Sequence, residues 1–173
     1  MTAQDRRFPI GPIQDLPARD RAALEAVALR MESTGRDWRN AVTGLDAGAL
    51  ARTYRPGSWT VAQLAHHAAD AHLHGLNRLK YGLTVEGYVI QPFAQEAWLG
   101  LADAALPVGE ALGLMDAANM RWTALLRGTD PAQFTRRVTH PQEGEQDLWR
   151  LVAKHDWHLR HHLAHVRLAL ANQ

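Results

Sequence analysis

The sequence predicts an all-α protein built as a four-helix bundle, and three observations predict it. Four stretches repeat apolar residues at three- and four-residue steps. No run alternates convincingly as a strand does. The chain has 173 residues, 46% of them hydrophobic, which suits one domain with a sizeable core. One domain over 1–173 is therefore expected. Residues 1–15, with Pro9, Gly11 and Pro12, read as an extended N-terminal arm.

The first helix is expected near 18–42, with Pro17 at its opening and Ala23, Leu24, Val27, Ala28, Met31 and Trp38 on its apolar side. Asp46 to Thr53 suggests a short extra turn. Thr60 followed by Gln63 fits a capping box, so the second helix should open there and run to about residue 83. Thr84 to Trp98 has little period. Its length suits a lid or a partner contact better than a plain connector. The third helix is expected over 107–127, closed by Gly128 and Pro131. Thr139-His140-Pro141 and Glu143-Gly144 are turn signals that leave room for a short strand pair before the last helix, expected over 147–171.

That last helix holds five of the ten histidines within Lys154–Val166. With His158 at zero on a helical wheel, His162 falls near about +40°, His155 near about +60° and His165 near about −20°. All border the apolar stripe of Leu148, Val152, Leu159 and Val166, whereas His161 turns outward. H-x-x-x-H occurs twice, at His158/His162 and at His161/His165. That spacing is also common among ordinary surface and core histidines, so it decides nothing alone. The second helix supplies another group. His67 borders its apolar stripe, His74 and Arg78 share its edge, His66 points away, and His72 points into the apolar side as a satisfied core residue. One histidine from the second helix and two from the fourth make a three-ligand set, the catalytic rather than the structural pattern of zinc.

Composition narrows the chemistry further. The chain has no cysteine, which excludes a thiol nucleophile, a disulfide frame and a thiolate metal site. A net charge of +1 gives no strong pull toward nucleic acid or a membrane. The N-terminus lacks an apolar signal core and no run reaches transmembrane length, so a cytoplasmic protein is the default expectation.

Three motifs then carry a resemblance: Tyr54-Arg55-Pro56-Gly57-Ser58-Trp59-Thr60, His66-His67-x-Ala69-Asp70-x-His72, and Trp157-His158-x-Arg160-His161-His162-x-Ala164-His165. Together they resemble the YfiT-like branch of the DinB superfamily, over most of the chain. The resemblance implies a four-helix bundle, a homodimer, and one divalent ion per subunit held by three histidines, which by motif position are His67, His158 and His162. It makes His165 a neighbour rather than a ligand. It also implies a metal-dependent hydrolase, or a thiol S-transferase using bacillithiol or a similar low-molecular-weight thiol.

Zinc is the first expectation for the ion, with nickel or manganese as alternatives. The partners expected are a small-molecule substrate or a thiol plus an electrophile, with the thiol supplied from outside a cysteine-free chain. His165, Arg160 and Asp70 are the catalytic candidates. His74, Arg78 and Asp156 are further groups that could orient a ligand or steer an anion. Trp59, Phe93, Trp122 and Trp157 could wall the pocket. Two non-catalytic readings stand beside the enzyme: a metal-binding stress-response module, and a helical dimer scaffold with incidental histidines.

Overall fold

A computed structural model describes residues 5–171. The order of elements is α1 (Arg21–Val42), α2 (Ala47–Leu50), α3 (Val61–Thr84), α4 (Gln95–Trp98), a 3₁₀ turn at Ala102–Ala105, α5 (Val108–Gly128), a second 3₁₀ turn at Pro131–Thr135, β1 (Arg137–His140), β2 (Gly144–Asp147) and α6 (Leu148–Ala171). The four long helices form the expected bundle. Both α1 and α3 pack on α5 and α6, which places α1 diagonally across from α3.

Local chemistry sets the helix ends. The Thr60 hydroxyl accepts from the Gln63 amide at 3.2 Å and the Gln63 side chain returns a bond to the Thr60 amide at 3.0 Å, closing the capping box. α1 starts later than Pro17 suggests, because the Asp20 carboxylate caps it by accepting from the Ala23 amide. Asp46 caps α2 likewise. Asp147 accepts from the Arg150 amide at 2.9 Å and opens α6. Gly128 does not end α5 as a left-handed cap; it is the last helical residue, and Thr129 follows in extended geometry. Strands β1 and β2 pair antiparallel, Arg137 opposite Asp147 and His140 opposite Gly144.

Two segments without helical period are built into the fold. The loop after α3 joins the hairpin: Ile90 N–H donates to the Thr139 carbonyl and Thr139 N–H to the Tyr88 carbonyl, at 2.8 and 3.0 Å. The arm is not plainly extended. From Asp5 onward it runs in turns and bends along α6, where Trp157 Nε1 donates to the Gly11 carbonyl at 3.1 Å. Residues 1–4 of that arm lie outside the described residues.

Two apolar clusters fill the bundle. One gathers Leu24, Met31, Leu79, Trp122, Leu148 and Trp149, the other Trp38, Leu64, Met115, Leu159 and Val166. Two buried indoles find carbonyl partners, Trp38 donating to Leu159 and Trp122 to His72, both at 3.0 Å, whereas the Trp149 N–H has none among the described residues. His72 is the satisfied core residue expected. Its Nε2–H donates to the Asn119 side-chain oxygen at 3.2 Å, while the Asn119 amide donates to the Met31 carbonyl.

Gly75 is where α3 comes close to α6. A Cβ there would lie 2.1 Å from His155 Cε1. Gly75→Ala is therefore expected to lower stability by about 1–3 kcal/mol through overpacking, against any gain in helix propensity. Gly113→Ala, where a Cβ meets nothing within 4 Å, is expected to raise it by about 0.5–1 kcal/mol. Urea midpoints of the two variants check the opposite signs.

Candidate metal centre

His67 comes from α3 and His158 and His162 from successive turns of α6. Their Nε2 atoms converge: His67 to His158 is 3.2 Å and His162 to His158 is 3.1 Å. His67 and His162 are buried and His158 is partly exposed. Trp59 lies across His67 with ring centroids 4.5 Å apart, and Phe93 stands 6.1 Å away over the same ring. Trp59 is steadied by Glu96, which accepts its indole N–H at 3.2 Å.

Burial pushes the His67 imidazole down to about 4. Burial and the neighbouring imidazoles hold His158 and His162 well below the usual histidine range. All three rings are thus neutral at pH 7, each with one bare nitrogen to offer. Two nitrogens bound at about 2.05 Å to one tetrahedral ion stand about 3.3 Å apart, so the observed spacing fits a shared divalent cation. Together the three form one of the described residue groups able to hold an ion.

The tautomer of His162 follows from a chain of contacts. His165 Nε2 lies 3.1 Å from the Arg6 carbonyl, which can only accept, so it carries the proton. A neutral His165 then has a bare Nδ1, which faces His162 Nδ1 at 3.3 Å. His162 must donate there, and its Nε2 is left bare toward His158 and His67. Tyr54 stacks flat on His165, with ring centroids 3.9 Å apart and planes 12° from parallel.

Other histidines fall differently from the single-helix view. His161 does not turn outward. Only 6% of its surface is exposed, because Trp157 stacks on it at 4.2 Å and Phe8 of the arm packs nearby. His161, His162 and His165 form a second group able to hold an ion, sharing His162 with the first. His66 is also covered and donates to the Leu106 carbonyl at 3.0 Å. His155 passes the edge of the stripe into the core, between Gly75 and Trp122, where neither ring nitrogen has a hydrogen-bond partner.

The remaining candidates divide. His165 joins the cluster. Arg160 does not; it bonds Asp156, which Arg30 also meets, in a separate cleft of about 270 Å³ that Trp157 helps to line. Asp70 faces Asp103 and His66, and burial raises its carboxyl above the ordinary range. Trp122 is fully buried core rather than pocket wall. Two cavities flank the three histidines. One, about 380 Å³, is bounded by Arg7, Arg55, Trp59, His162 and His165. The other, about 200 Å³, is bounded by His67, His158, Arg78, His140 and Lys154. Sequence reasoning missed the part of His140, which sits on a hairpin with no period to flag it. It also missed the Arg6 carbonyl, a backbone group that no residue pattern marks.

A profile of the DinB superfamily matches residues 30–166. The chain belongs to the DinB superfamily. A Geobacillus kaustophilus protein named "Putative metal-dependent hydrolase" is 38% identical over 168 residues, covering 95% of this chain and 94% of the relative. The structure of YfiT from Bacillus subtilis, described as a "probable metal-dependent hydrolase", superposes with a TM-score of 0.87 at 31% identity and 94% coverage of each chain. A mycothiol-dependent maleylpyruvate isomerase shares the fold at 16% identity, with a TM-score of 0.66 over 83% of this chain and 60% of that one. This DinB chain thus sits in the YfiT-like branch, and its histidine cluster and metal-dependent relatives point to a divalent ion. Among its described residues no helix is long and apolar enough to cross a membrane.

The buried imidazoles give a pH dependence with a defined sign. In the unfolded chain histidines titrate near about 6.5. In the fold His67 and His72 take a proton only near 4. Between these values the unfolded state binds more protons, so stability falls as pH falls. For metal-free protein the urea midpoint is expected to be level above about pH 7 and to drop progressively from about 6.5 toward 4; a midpoint that rises on acidification would contradict this.

Proposed function

We propose that this chain is a divalent-metal-dependent enzyme of the metal-dependent hydrolase kind, with His67, His158 and His162 as ligands of one ion. The convergence of three neutral imidazoles, with His158 Nε2 3.2 Å from that of His67 and 3.1 Å from that of His162, carries this reading. An ion held there supplies Lewis acidity that generates a nucleophile near neutral pH, from water or from a low-molecular-weight thiol of the bacillithiol type. Zinc is the first candidate, nickel and manganese the alternatives. Hydrolysis follows the names that the relatives carry. Thiol S-transfer is the variant in which the nucleophile arrives as a cosubstrate, since the chain has no cysteine.

The protein's own groups prepare the site. The Arg6 carbonyl and His165 keep a proton on His162 Nδ1 and so keep its Nε2 free to bind. His165 is committed at both nitrogens, which makes it a positioning residue rather than a general base. Trp59 and Phe93 shield the His67 ring from water. The cavities on both sides of the cluster favour an enzyme over a metal-storing module or a plain scaffold.

Metal content after loading with zinc tests the ligand set. His67→Ala and His162→Ala are expected to abolish binding or weaken it by several kcal/mol, as loss of one of three ligands implies. His161→Ala should leave it nearly unchanged, and His165→Phe should cost about 10–100-fold in affinity. Metal kept in His162→Ala and lost in His161→Ala would move the site to the other histidine group. An activity screen against esters, amides and thiol–electrophile pairs, with and without chelator, then separates hydrolase, transferase and binder.

A homodimer belongs to the same proposal. Val85, Val89, Trp98, Leu101 and Leu106 are exposed apolar side chains along the segment between α3 and α5, which supports a partner contact there. Light scattering is expected to give twice the chain mass, and Leu101→Glu with Val89→Glu to shift it toward the monomer.

A further inference from the structure

Arg78 is buried, with 6% of its surface exposed, yet no carboxylate pairs with it among the described residues. One Nη donates to the Gln91 carbonyl at 3.1 Å, an oxygen that also accepts from His74 Nε2 at 2.9 Å. Its Nε has no partner. A guanidinium cannot shed its proton, so it stands as a buried charge with no carboxylate bonded to it; Glu143 acts on it only through space and is itself bonded to Lys154.

The same 200 Å³ cavity reaches from Arg78 to His67 and His158. Its other cation, Lys154, is neutralised by an ion pair with Glu143. His140 adds a donor. Its Nδ1 accepts the backbone N–H groups of Gln142 and Glu143, both at 3.2 Å, and burial keeps the ring neutral, so its proton is on Nε2. That Nε2 stands 3.9 Å from Glu143 Oε1, beyond hydrogen-bond reach, so with Arg78, Lys154 and Glu143 counted together the cavity keeps one net positive charge and a second hydrogen-bond donor beside the three histidines. A monoanion balances that charge, whereas a dianionic phosphate would leave an excess negative charge in a small space. The planar fork of an arginine matches a carboxylate.

We propose that the substrate of this site carries a carboxylate, bound by Arg78 with His140 beside it, and reacts at the three-histidine end of the cavity. This rests on the metal-site reading above. It adds a substrate class, small carboxylic acids bearing the reactive group a short chain away.

Two kinds of probe test it on zinc-loaded protein by calorimetry. Mercaptoacetate, 3-mercaptopropionate and 4-mercaptobutanoate offer a thiolate to the metal and a carboxylate at three reaches; 2-mercaptoethanol is the neutral counterpart. In the wild type the best carboxylate is expected to bind at least about tenfold tighter than 2-mercaptoethanol, as a charge-assisted hydrogen-bonded pair implies. In Arg78→Met the advantage should vanish while zinc content and 2-mercaptoethanol affinity hold. In Arg78→Lys, which keeps the charge and loses the fork, part of it should remain. No advantage in a zinc-holding wild type, or an advantage that survives in Arg78→Met, overturns the proposal. If Arg78→Met does not fold, the Lys variant decides: a reduced advantage supports the proposal and an unchanged one overturns it. Zinc content of the same samples reports the metal reading separately. Should no zinc bind, propionate titrated into chelated wild-type and Arg78→Lys protein reads the carboxylate contact alone: tighter binding to the wild type supports it, and equal or absent binding overturns it.

Discussion

The seam between α3 and α6 is what the rest of the site depends on. The two helices run antiparallel, so that His67 meets His158, Gly75 meets His155 and Gly82 meets Leu148 in turn along them. At Gly75 and Gly82 there is no room for a side chain: a Cβ would stand 2.1 Å from the His155 ring and 2.5 Å from Leu148. The glycines cost some helix propensity, roughly 0.5–1 kcal/mol each relative to alanine. What that cost secures is a short interaxial distance on the half of α3 beyond His67. With those helices held close, the His67 imidazole on α3 comes within 3.2 Å of the His158 nitrogen on α6. Trp38 and Trp122 secure the same packing from inside, each donating to a carbonyl of one of the two helices.

Close packing also decides the protonation of the cluster. Removing imidazoles from water disfavours their charged form, and crowding them makes each positive charge repel the next. For His158 and His162 both effects act in one direction. The fold thus holds a group of bare nitrogens that rejects protons. A divalent ion is the cation that can enter without the geometry being rebuilt, because it takes all three lone pairs at once. Proton and metal would therefore compete for the same nitrogens; burial costs both, and only an ion shared by three nitrogens offsets that cost with three bonds.

Much of this was legible in the sequence, and the divide between legible and hidden is physical. Thr60 with Gln63 announces a helix start because both partners of the capping box lie within one turn. The shared edge of His158, His162 and His67 was readable because the helical period fixes which residues border a core. What was hidden is whatever another segment brings. A helical wheel turns His161 and His66 toward solvent, but it knows nothing of Phe8 and Trp157 on the one or the Leu106 carbonyl on the other. It places His155 at the stripe's edge and cannot see that Gly75 draws the ring inside. Pro17 marked the right region for α1, but the carboxylate of Asp20 set its actual start.

The two cavities divide the work around the histidines. On the arm side the groups act on the clustered histidines themselves: a backbone carbonyl fixes His165, His165 fixes His162, and Tyr54 stacks flat on the His165 ring. A carbonyl is well suited to begin such a chain, since it accepts and never donates, and its protonation does not vary with pH. On the hairpin side Arg78 and His140 line the cavity that opens onto His67 and His158. The loop after α3 connects this side to the rest, since the Gln91 carbonyl binds both Arg78 and His74 while Tyr88 and Ile90 pair with Thr139. The segment with the least sequence period therefore carries the backbone carbonyl that orients the buried Arg78 charge. Its length follows from that duty, because a short turn could not have crossed from α3 to the hairpin and returned to α5.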